Sequence, residues 1–166
     1  MRYRLPVAMA GIAVLLGGTV AAAGASTTTG KFQATFVDIY SICPTSPPSV
    51  VFCGSGTIAG FGAAHSTATL TSIAPLSGTD CRLLTAVRTI TLNSGQGALT
   101  LDEHGILCPP SDSASNAAGG PYTVNKTYVI ADGTGVFAGA TGSGSDINRS
   151  AGDSQVSVIS GTLTTP

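Results

Sequence analysis

The sequence predicts an all-β domain, built as a sandwich or a barrel of short strands. Apolar and polar residues alternate with a period of two along much of the chain. No segment after the first 25 residues carries the periodicity of a helix. Turns rich in Gly, Ser and Pro separate the alternating segments. Charged residues make up only 9% of the chain, so Thr, Ser and Gly must wet the surface, and abundant threonine favours strands.

The first segment, MRYRLPVAMAGIAVLLGGTVAAAGAS, has the layout of a signal peptide. Arg2 and Arg4 form a positive start, an apolar run follows from Leu5 to Val20, and Ala23-Gly24-Ala25 fits the small-residue cleavage pattern. Residues 1–25 are therefore expected to be removed, leaving 26–166 as one domain of about 140 residues that is secreted or otherwise extracytoplasmic. Without Arg2 and Arg4, five basic side chains face eight acidic ones, a net charge of −3. The lack of a basic stripe argues against a nucleic-acid partner. No later stretch is apolar and long enough for a spanning helix, so stable membrane insertion after cleavage is not expected.

Eight candidate strands follow in order. KFQATFVDIY sets Phe32, Ala34 and Phe36 on one face. The segment CPTSPPSVVFC (43–53) cannot be a regular central strand, because its prolines lack ladder donors. GSGTIAGFG is the next strand, then AHSTATLTSI, which places His65, Thr67, Thr69 and Thr71 opposite Ser66, Ala68 and Leu70. RLLTAVRTITL and GALTLDEHGIL read as a hairpin around Ser94-Gly95. CPPSDSASNAAGG (108–120) reads as a long, irregular and mobile loop. PYTVNKTYVI, GVFAGATGSG and SQVSVISGTLT complete the set.

Parity fixes the hairpin. Leu84, Ala86, Ile90 and Leu92 on one arm must share a face with Leu99, Leu101 and Leu107 on the other. A two-residue loop sets Ile90 opposite Leu99 and Cys81 opposite Cys108, whereas a four-residue loop sets Arg88 opposite Glu103. Both registers keep the two cysteines close. Four cysteines in an exported chain suggest two disulfides, and the expected pairs are Cys81–Cys108 and Cys43–Cys53, the latter closing the proline-rich excursion. No C-x-x-C pair occurs, and no metal site is expected.

The same parity puts Arg88 and Glu103 on the apolar face, where a charge is costly unless paired. They read either as a structural ion pair at the rim or as a polar handle in a ligand cavity. Tyr122, Val124, Lys126 and Tyr128 share another face, so Lys126 either reaches the rim or joins the pair inside. His65 and His104 lack a G-x-S-x-G elbow to serve, which argues against a hydrolase. Asp132, Asp146 and Asp153 read as turn residues without calcium-loop spacing. Asn125 and Asn148 begin N-x-[ST] glycosylation patterns.

ADGTGVFAGATGSG (131–144) looks at first like a phosphate loop. No helix can follow its glycines, however, and their spacing misses G-x-G-x-x-G. Asp132-Gly133 reads instead as a tight turn, with Gly135, Gly139, Gly142 and Gly144 as bend points of a coiling strand. The stretch 120–144 resembles the region of plant allene oxide cyclases and dirigent proteins in which a strand enters a glycine-rich turn. The matching positions are Gly133, Gly135, Phe137, Gly139 and Gly142. Uncharacterised bacterial exported proteins of the same barrel are similar as well. The resemblance implies an eight-stranded antiparallel β-barrel with an apolar central cavity. It also implies work on a fatty-acid epoxide or on phenolics without a cofactor. The family's catalytic carboxylate and amide align with no residue here, so no catalytic residue is assigned. The interior positions expected to face a small hydrophobic or phenolic ligand are Phe32, Phe36, Arg88, Leu101, Glu103 and Phe137. Three functions follow as candidates: a ligand-binding module, an isomerase or cyclase acting by shape and one acid, and a structural or surface protein with a filled barrel.

Overall fold

The computed structural model describes residues 27–40, 43, 51–108 and 122–166. The expected leader lies outside them, as do residues 44–50 and the expected mobile loop beyond Cys108. Eight strands run antiparallel to their neighbours: β1 (Thr28–Ile39), β2 (Val51–Ile58), β3 (Gly62–Pro75), β4 (Arg82–Leu92), β5 (Gly97–Leu107), β6 (Tyr122–Gly135), β7 (Ser143–Ala151) and β8 (Ser154–Thr165). Each pairs with the next in sequence, and β8 pairs with β1 to close a barrel. Closure removes every sheet edge, which an open sheet would have to protect by other means.

The β4–β5 hairpin takes the register of the shorter loop. Ile90 lies opposite Leu99, and Arg88 opposite Leu101, so Glu103 is diagonal to Arg88. Bulges interrupt the ladders at Thr71 in β3 and Ala131 in β6. Both expected disulfides form, Cys43–Cys53 and Cys81–Cys108, with Cα separations of 5.4 and 4.2 Å. Two disulfides suit an oxidising, extracytoplasmic compartment. The second closes a span of 27 residues across the open mouth of the hairpin. Replacing both its cysteines with serine is expected to cost about 3–4 kcal/mol by the loop-closure argument, measured as the loss in urea unfolding free energy against the oxidised parent.

The chain departs from the sequence reading in the glycine-rich stretch. Asp132-Gly133 is not a turn. Both pair with β5, and β6 continues to Gly135. The turn comes later, over 136–139, where Gly135 and Gly139 have φ of 60° and 71°. The left-handed backbone that the turn requires falls at those glycines and not at Gly133. Consequently GVFAGATGSG is not a strand. β7 starts at Ser143, and Asp146, expected in a turn, sits within it. The turn has a packing role: it folds Phe137 back into the barrel end, fully buried, against the ring of Phe61 at 4.7 Å. The proline-rich excursion is also shorter than expected, since Val51–Cys53 already pair with β3.

Inward positions form three storeys. Phe32, Phe36, Ile58, Ile90, Leu92, Leu99, Leu101, Phe137 and Ile159 seal one end, none more than 2% exposed. Tyr128 joins them, edge-on to Phe32 with ring centroids 6.3 Å apart. Room for its ring comes from Gly144 and Gly161, which lie directly opposite each other on β7 and β8. A Cβ on either would run into Tyr128 as well as into backbone. A polar storey crosses the middle of the barrel, and an open cavity occupies the other end.

Candidate functional site

The middle storey is organised around Arg88, which is wholly buried. Its position on β4 continues the inward parity of Leu84, Ala86, Ile90 and Leu92. All five guanidinium hydrogens have acceptors. Nε donates to Glu103 Oε1 at 2.8 Å, and Nη1 donates to Asp38 Oδ2 at 3.0 Å and to Ser66 Oγ. Nη2 donates to Ser157 Oγ at 3.0 Å and to Asp146 Oδ2 at 3.3 Å. Lys126 on β6 adds a second cation. Its ammonium donates to Glu103 Oε2 and stands 2.7 Å from Asp146 Oδ2. Asp38 receives three further bonds, from Ser157 at 2.8 Å, from Gln155 Nε2 at 3.2 Å and from Ser66 Oγ at 3.3 Å. Asn148 Nδ2 donates to Asp146 Oδ1 at 2.8 Å and to Ser157 Oγ at 2.7 Å.

Seven strands thus contribute to one hydrogen-bonded set at the barrel axis. Its formal composition is three carboxylates against two cations. Burial pushes the Asp146 carboxyl up, but the adjacent Arg88 and Lys126 outweigh burial and hold it below its ordinary value. Burial would also discharge Arg88, yet Glu103, Asp38 and Asp146 together raise its affinity for the proton. Among the described residues, the hydroxyl of Tyr128 is the one side-chain polar atom wholly sealed from solvent without a partner. Burial first, and then the charge of Asp146, push it up to about 12, so it stays neutral at ordinary pH.

The sequence reading identified Arg88 and Glu103 as an inward pair, and the structure places them together. They stand at the barrel centre, however, and not at the rim. Lys126 joins them inside. Asp38, Asp146, Asn148, Gln155, Ser66 and Ser157 were not singled out as site residues. A usable signal did exist for Asp38, which extends the inward face of Phe32, Ala34 and Phe36 by one more alternation. Asn148 is 3% exposed and points inward, which removes its N-x-[ST] pattern from the folded surface. Among the described residues no group of three His, Cys, Asp or Glu side chains is placed to hold a metal ion. Likewise, among them no helix is long and apolar enough to cross a membrane.

The open space lies beyond the polar storey. A cavity of about 150 Å³ is walled by Phe52, Ala68, Leu70, Ile73, Leu84, Ala86, Leu107, Tyr122 and Val124, over a floor of Lys126, Asn148 and Gln155. Two small inward residues, Ala68 and Ala86, line its wall, whereas phenylalanines and leucines crowd the alanines of the sealed end. None of the six expected ligand-facing residues borders it. Phe32, Phe36, Leu101 and Phe137 belong to the sealed end, while Arg88 and Glu103 lie beneath the floor. Glu103 is 0% exposed and fully engaged, so the floor presents no free acid. No family model, curated protein or solved structure matches the chain.

Proposed function

We propose that this protein is a secreted binding barrel that takes a small apolar or phenolic molecule into its open end. The carrying observation is the cavity: apolar walls, a polar floor and a volume of about 150 Å³. A cavity of that size and lining admits a molecule as large as benzene. Kinship with the allene oxide cyclase and dirigent barrels is part of the same proposal. It is supported by eight antiparallel strands and by the glycine-rich turn that carries Phe137. The storey beneath rigidifies the floor, because every charged member of it is held by several partners. A structural role for a filled barrel is the second reading, and it draws on the sealed half of the interior.

The two readings separate on ligand binding. Toluene and phenol are expected to bind the protein, seen by ligand-observed NMR and by shifts of the Ala68 and Ala86 methyls. Ala86→Leu fills the cavity from the wall and should weaken both by about tenfold or more, a free-energy change of about 1.4 kcal/mol. Affinity unchanged in the filled variant would move binding away from this cavity. No binding by the parent would leave the structural reading.

A further inference from the structure

The floor of the cavity holds two carbonyl oxygens left free by the bonds beneath it. Asn148 Nδ2 lies 2.8 Å from Asp146 Oδ1 and 2.7 Å from Ser157 Oγ. An ionised carboxylate only accepts, and Ser157 already gives its hydrogen to Asp38. Both contacts therefore require the amide nitrogen, which fixes the orientation of Asn148. Gln155 is fixed in the same way by Asp38 Oδ2 at 3.2 Å. What remains on each is the carbonyl oxygen, and neither oxygen has a hydrogen-bond partner among the described residues. Asn148 and Gln155 are more than nine-tenths buried and both border the cavity. Glu103 and Asp146 hold the Lys126 ammonium by two of its three hydrogens.

Charge points the same way. Asp38, Glu103 and Asp146 exceed Arg88 and Lys126 by one formal negative charge, all within the buried storey. Excess buried charge favours a counter-ion and repels a like one. We infer that the cavity selects a protonated amine on a small apolar body, with its N–H groups on Asn148 Oδ1 and Gln155 Oε1, and that it rejects carboxylates. This rests on the cavity being a binding site, and it adds the chemistry of the ligand's head.

Four probes of one shape test it on the intact protein at pH 7: benzylamine, benzyl alcohol, toluene and benzoate. Benzylamine should bind about tenfold more tightly than benzyl alcohol, since a hydrogen bond to a charged group exceeds a neutral one by roughly that factor. Toluene should be weaker still, and benzoate should not bind. Benzyl alcohol or benzoate equalling benzylamine would overturn the inference while leaving a binding barrel. Failure of all four, toluene included, would overturn both. Asp38→Asn removes the formal excess. It should erase the benzylamine advantage and leave toluene unchanged. Should that variant not fold, the four-probe series on the parent protein decides the question.

Discussion

Arg88→Met is expected to cost about 3–5 kcal/mol, a large share of the roughly 5–15 kcal/mol that holds a domain of ordinary stability. The methionine nearly fills the space, so the loss is electrostatic. Asp38, Glu103 and Asp146 each lose a donor while remaining buried, and the one cation left, Lys126, reaches only Glu103 and Asp146. Thermal unfolding followed by circular dichroism measures the drop. The pH dependence identifies its origin. In the parent, Asp146 has a folded value below its unfolded one, so its contribution is present above about pH 4 and is lost as pH falls through the folded value. In the variant, Asp146 loses the guanidinium that outweighed its burial, and burial then makes it bind a proton more readily when folded than when unfolded. The variant's stability should therefore recover as pH falls toward that same range. A variant with the parent's acid profile would mean that Asp146 does not depend on Arg88.

Phe36→Ala is expected to cost about 3–5 kcal/mol, by lost burial and by a void that the sealed end cannot collapse to fill. Phe36 is 0% exposed and packed among other large side chains. Leu84→Ala, on the cavity side, should cost clearly less, because Leu84 already borders empty space and removes less close contact. Urea unfolding of the two variants compares the halves directly. Equal costs would show that the two ends are packed alike.

The features that were legible in the sequence are those set by local alternation. Parity alone placed Arg88 and Glu103 inward and brought Cys81 to Cys108, because a hairpin joins neighbouring residues through a short loop. The rest of the site is non-local. Asp38 and Asp146 meet Arg88 from 50 and 58 residues away, and no short-range pattern encodes those distances. Asp146 was further hidden by composition. Its neighbours SGSDINRS resemble a turn, and only pairing with β6 on one side and β8 on the other makes them a strand. Asp132-Gly133 misled for the opposite reason. It has the chemistry of a tight turn, but β5 is long enough to keep pairing past it, and tertiary pairing overrides the local preference. Which end of the barrel is sealed depends on side-chain volume at inward positions. Ala68 and Ala86 against Phe36 and Phe137 show it once the register is known.

All twelve residues of β1 are paired with β8, twice the number paired with β2. The first strand therefore has its longest bonded neighbour at the far end of the sequence. A chain emerging in order, from its N-terminal end, must wait for Ser154–Thr165 before that seam can form. Until then two bare borders are available to any other polypeptide. Ladders of such high contact order fold slowly. Early truncation within β8 should accordingly yield aggregates and not a smaller barrel.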